Sequence, residues 1–181
     1  MQVGETVGPG SDLGQIGQSG MAEFPHLHLA VRQNGQNLDP FAPDTLTSCG
    51  ASGNDLWQAP IAYQPGGLLS VGLADVVPDY AAIKAGLASP DLPATAPAIV
   101  IWAYLFGSRP GDAIIFDVSG PEGQVISERV VLEKAQALAF RAVGKRLKTA
   151  AWAAGRYQGE AVLLRDGVEL GREGLAINVG P

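Results

Sequence analysis

Cysteine is almost missing from this chain: Cys49 stands alone among 181 residues. That excludes an internal disulfide, and leaves a free buried thiol or a pairing with a cysteine outside the chain. Histidine is equally sparse, with His26 and His28 only. Charged residues make up 17% of the chain and the net charge is −6. A general nucleic-acid binder, which neutralises phosphates with a basic surface, is therefore excluded. The longest apolar runs have the length of a strand, so no segment reads as transmembrane. "MQVGETVGPG" lacks a basic start followed by an apolar stretch. The reading is either a cytosolic protein or a chain whose natural start lies upstream.

What is abundant is turn chemistry. The 24 glycines and 13 prolines punctuate many short runs, and 46% of residues are hydrophobic. Together they indicate an all-β protein with a sizeable core. The charge is uneven. Residues 1–42 carry Arg32 against Glu5, Asp12, Glu23 and Asp39, whereas residues 95–181 hold ten basic and nine acidic side chains, a net of +1. Four of those ten lie in "RAVGKRLK", Arg141 to Lys148. This run reads first as a solvated strand end or loop, and second as a weak contact for an anionic cell-wall polymer.

The chain divides into three parts by composition. In residues 1–42, Val3, Val7, Leu13 and Ile16 are separated by glycine-rich turns and lead into "HLHLAVRQNGQNLDP". On a strand, His26, His28, Ala30 and Arg32 point to one face, and Asn34-Gly35 supplies a hairpin turn. Residues 43–67 form a linker rich in Pro, Gly, Ser and Thr, from which Trp57 is expected to dock on a neighbouring domain. Residues 68–181 form an immunoglobulin-like β-sandwich. "LLSVGLADV" is its first strand, and a short helix near 78–86 runs from Pro78 to the stop at Gly86. From residue 98, strands recur every 10–14 residues with turns between them, including Asp166-Gly167. Tyr157 after Gly155-Arg156 fits a corner tyrosine that packs back on the preceding turn. Trp102, Phe116, Phe140, Trp152 and Tyr157 are core candidates. Asp112, Asp117, Glu122, Glu128 and Asp166 read as solvated turn and edge charges, and Ser108, Ser119 and Ser127 have no histidine in this part to activate them.

His-X-His on a strand sets both imidazoles on one face about 7 Å apart. That spacing suits a zinc site in which one imidazole binds the metal and the other stands by its water. Such a site needs three protein ligands. The surrounding residues add context: Gly14, Gly17, Ser19-Gly20, Pro25-His26-Leu27-His28, Arg32, Asn34-Gly35 and Asp39-Pro40. In order and spacing they resemble the second half of the lysostaphin-type zinc endopeptidase domain, a family that cuts peptide cross-links of peptidoglycan. The resemblance covers about 40 residues. It implies that His28 is a Zn2+ ligand and that His26 acts beside the zinc-bound water in acid/base or transition-state stabilisation.

The family's other two ligands come from an upstream His-X-X-X-Asp motif that this chain does not contain. Glu5, Asp12 and Glu23 are the nearby acidic groups. The expectation is thus a peptidase fragment with an incomplete zinc site, inactive alone, completed by self-association or by another chain. Its substrate would be a peptidoglycan peptide, and its full-length parent would be periplasmic or in the cell envelope. The alternative is a non-catalytic module binding cell wall or an amidase regulator.

Overall fold

The computed structural model describes residues 2–22, 25–43, 55–59, 61–86 and 89–180. It divides into two compact units, Met1–Tyr63 and Gln64–Pro181. Cys49 and Glu23 lie outside the described residues.

The first unit contains one hairpin, β1 (Val31–Gln33) paired antiparallel with β2 (Gln36–Leu38). The turn between them has φ of 51° at Asn34 and 80° at Gly35, the left-handed pair that an Asn-Gly hairpin turn needs. Among the described residues of 2–22 and 25–30 there is no strand, and Val3, Val7, Leu13, Ile16, Leu27 and Leu29 are all exposed. The apolar residues in this stretch are too widely spaced to share one face, so they build no core. Trp57 docks on the part that precedes the linker. Its ring lies 5.3 Å from that of Phe41, and Leu56 N–H donates to the Pro40 carbonyl at 2.8 Å.

The second unit is a β-sandwich with one short helix, so the all-β reading stands. Its strands are β3 (Gly67–Ala74), β4 (Leu92–Pro93), β5 (Ala98–Ser108), β6 (Ala113–Gly120), β7 (Gly123–Val131), β8 (Gln136–Arg146), β9 (Gly155–Arg165) and β10 (Val168–Gly180). A five-stranded sheet has the order β4-β10-β9-β6-β7, and a three-stranded sheet the order β3-β5-β8. All pairings are antiparallel except the two-residue β4–β10 contact. The core lies between the sheets. Leu73, Ile99, Ile101, Ala103 and Leu105 from one meet Ile114, Phe116, Val118, Ala161 and Leu163 from the other.

Strand β5 is an almost unbroken apolar run because it is buried on both faces. Its odd residues face the core. Its even residues Trp102 and Tyr104 face the helix α1 (Tyr80–Lys84), whose Ile83 packs on both. Gly86, at φ 88°, ends the helix as expected, its N–H donating to the Ile83 carbonyl. Tyr157 fulfils the corner role: its hydroxyl donates to the Ala153 carbonyl at 3.0 Å. Among the described residues no helix is long and apolar enough to cross a membrane.

Candidate binding face

A strand shows alternate side chains on opposite faces. On β6 and β9 the polar residues that alternate with the core positions are Asp117 and Ser119, and Arg156, Gln158 and Glu160; Ile115, Val162 and Leu164 continue the same face. The five polar residues therefore lie on the outer face of the five-stranded sheet. The register places Asp117 opposite Glu160 and Ser119 opposite Gln158. On β10 the facing positions are Gly174, opposite Glu160, and Ala176, opposite Gln158. Both are small, so the sheet surface is lowered there. The result is an open cleft of about 520 Å³ with Gln124 of β7 at its rim. A Cβ on Gly174 would come no closer to any neighbour than 3.5 Å, to the Gly159 carbonyl, so the hollow is a property of side-chain size.

Two carboxylates directly opposite on a sheet repel each other. The surroundings offset this. Gln124 Nε2 donates to Asp117 at 3.1 Å, and Arg172 Nη1 reaches Glu160 at 2.5 Å while its Nη2 donates to Glu169 at 2.7 Å. The Arg172 hydrogen bond holds the Glu169 carboxyl below its ordinary range. The cleft thus offers fixed acceptors, amides that both donate and accept, and the Arg156 guanidinium. It has no aromatic wall.

Asp117 and Ser119, read from sequence as a solvated charge and an idle hydroxyl, are parts of this cleft. The sequence signal was alternation: polar residues on β6 and β9 share one face in register. Asp112 departs from its expected role more sharply. It is buried, and Arg165 holds it through two hydrogen bonds of 2.8 and 2.7 Å. Ser108, also buried, donates to the carbonyls of Lys134 and Gln136 at 3.2 and 3.4 Å.

The histidine pair lies in the first unit. His26 and His28 are exposed, on backbone that pairs with no strand, and line a cleft of about 390 Å³ with Gly17, Ser19, Met21 and Ala22. The glycine-serine run and the Pro-His-Leu-His stretch are therefore adjacent, but the histidines are not strand-borne. Among the described residues no group of three or more His, Cys, Asp or Glu could hold a metal ion.

No family model matches the chain, and no curated protein gives a significant match. Similar solved structures include a glycosyl hydrolase family 2 member from Bacteroides cellulosilyticus, with 13% identity over 63% of this chain and 15% of that one, TM-score 0.42. A β-glucuronidase from Bifidobacterium dentium matches with 19% identity over 63% of this chain and 18% of that one, TM-score 0.39. A CARDB domain from Pyrococcus furiosus matches with 11% identity over 66% of this chain and 98% of that one, TM-score 0.37. The chain thus spans less than a fifth of the two hydrolases, and their activities are not carried across.

These findings correct the resemblance drawn from the sequence. The matched structures are glycosyl hydrolases and a CARDB domain, not lysostaphin-type peptidases, and no family model matches. The physical reason is ligand supply. A hydrolytic zinc site needs three protein ligands, and His28 has no such set around it among the described residues.

Proposed function

We propose that the sandwich is a non-catalytic module that binds a saccharide on the outer face of its five-stranded sheet. The observation that carries this reading is the cleft over β6, β9 and β10, where Asp117, Ser119, Gln124, Arg156, Gln158 and Glu160 surround a floor kept low by Gly174 and Ala176. Side chains on such a face repeat about 7 Å along a strand and about 5 Å between strands, which forms a grid of hydrogen-bonding groups suited to a chain of hydroxyls. Hydrogen bonds alone make such binding weak and selective for hydroxyl arrangement.

The test is binding of a panel of soluble oligosaccharides by calorimetry, with the full chain and two variants. Gly174→Val fills the floor with a residue that favours strands. Gln158→Ala removes an amide while leaving the sheet intact. Retention of at least one oligosaccharide, weakened about tenfold by either variant with unchanged circular dichroism, is the expected result. Binding that neither variant disturbs, or no binding to any of the panel, would sink the reading. Appearance of shortened oligosaccharide products would replace it with a hydrolytic one.

A further inference from the structure

The end of β8 and the residues just after it border a second cleft. Strand β8 is the edge of the three-stranded sheet and β7 the edge of the five-stranded sheet. Where the two edges part at one end of the sandwich, Lys145, Arg146, Lys148 and Thr149 line one side of a cleft of about 250 Å³, and residues of the β6–β7 turn with Gln124 line the other. Trp152 and Tyr157 close its inner end, and both are fixed in place: Trp152 Nε1 donates to the Ala96 carbonyl at 2.8 Å and the Tyr157 hydroxyl to Ala153 at 3.0 Å.

The charge at this mouth is unbalanced. Lys145, Arg146 and Lys148 form no ion pair among the described residues, and Glu122 is the one carboxylate lining the cleft. Lys145 and Lys148 are exposed and contribute nothing to the core, while Arg146, next to Lys145 on the strand, also borders a cleft with Asp75. The repulsion among like charges is offset when an anion sits between them. We infer that this cleft binds the anionic group of an acidic polysaccharide, a carboxylate, sulfate or phosphate carried on a sugar.

Two further observations favour a sugar-borne anion over a nucleic acid. Residues with uncharged hydrogen-bonding side chains, Gln124 and Thr149, line the cleft beside the cations, as a sugar ring with one charge requires. Residues 95–181 as a whole are close to neutral, with ten basic and nine acidic side chains, so there is no extended basic surface to track a phosphate backbone. Gln124 also stands at the rim of the outer-face cleft, so one extended chain can touch both. The basic cleft nevertheless rests on its own residues and does not need the first reading.

The experiment compares dextran sulfate with neutral dextran of the same length, using the full chain. Three proteins are measured: the natural sequence, Lys145→Gln/Lys148→Gln, and the distant control pair Arg129→Gln/Lys134→Gln, which removes the same charge. The expected result is binding of dextran sulfate but not dextran, weakened steeply as salt rises from low to physiological strength. The Lys145/Lys148 pair lowers it about tenfold and flattens the salt dependence, while the control pair changes it little. Equal loss in both variants would mean a diffuse charge effect and overturn the site. So would tight binding of neutral dextran that the Lys145/Lys148 pair leaves unchanged, or sodium sulfate competing as well per sulfate as the polymer. Preferential binding of single-stranded DNA over dextran sulfate would replace the polysaccharide with a nucleic acid. Failure of the outer-face variants with this result intact would leave the basic cleft standing alone.

Discussion

Among single residues, Asp112 has the most consequential partners. Its carboxylate accepts from Arg165 Nε and Nη2 and from the Arg109 backbone N–H at 2.8 Å, and Arg165 in turn donates to the Gly107 and Pro65 carbonyls. This joins the start of β6, the end of β9 and the chain entering β3. From sequence Asp112 followed "RPG" and looked like an ordinary turn charge; nothing local revealed that Arg165, 53 residues on, would bury it. Removing one partner strands a buried charge, so Asp112→Ala is expected to destabilise the sandwich by about 3–5 kcal/mol. Asp112→Ala/Arg165→Met together should cost much less than the two single changes combined, a coupling that denaturant titration of the four proteins will measure. The hydrogen bonds from Arg165, more than any other cause, hold the Asp112 carboxyl below its ordinary range. Its contribution is therefore complete above about pH 4, the unfolded value, and is lost as pH falls through the lower folded value. Acid titration of the natural protein should show this loss, and the Asp112→Ala variant should lack it. Gly72 is a second single-residue constraint. A Cβ there would lie 2.2 Å from the Trp102 ring. Gly72→Ala should cost about 1–3 kcal/mol by displacing that ring, a value thermal melts can check.

At the scale of elements, the strands and the helix were legible and their partners less so. The turns at Asn34-Gly35 and Asp166-Gly167 have the positive φ their sequences require, and β5 and β6 coincide with apolar runs bounded by turn residues. Periodicity failed at β5, whose continuous apolar run shows that both faces are covered but not by what. One cover is the other sheet and the second is α1. The helix lays Tyr80 over Tyr104 with ring centroids 5.9 Å apart, and Trp102 and Phe140 lie 6.5 Å apart alongside. Burial first, and then the hydrogen bond with Tyr80, push the Tyr104 hydroxyl up from 10.0 to about 12. In the unfolded chain that phenol ionises near 10, so its contribution is complete below pH 10 and lost as pH rises through the folded value near 12. The measurement is denaturant stability between pH 8 and 12 for the natural protein and Tyr104→Phe. The natural protein should weaken across that range, and the variant should weaken less. An identical decline in both would show that Tyr104 ionises as freely in the fold as outside it. The glycine-rich run and the Pro-His-Leu-His stretch illustrate the opposite limit. Their spacing matched a known pattern, yet spacing alone does not bring in ligands or a sheet.

On the scale of the whole molecule, folding free energy is concentrated in one unit. Among the described residues, every buried hydrophobic one except Ala42 belongs to the second unit, and the described part of the first unit offers one hairpin of two three-residue strands. A lone two-stranded hairpin is marginal in water, so it adds little cooperative stability. Unfolding enthalpy scales with the number of residues that fold together, at about 0.7 kcal/mol per residue near 60 °C. For the 118 residues from Gln64 to Pro181 this gives roughly 80 kcal/mol, and for all 181 roughly 125 kcal/mol. Calorimetry of the full chain should therefore show one transition with the smaller enthalpy. A protein of residues 64–181 alone should melt at the same temperature, to within about 2 °C. Both readings of the clefts place them wholly within that unit, so the shorter protein should also keep the dextran sulfate affinity and its salt dependence. An enthalpy near the larger value, with a lower melting temperature for the shorter protein, would mean instead that residues 1–63 fold as part of the same cooperative structure.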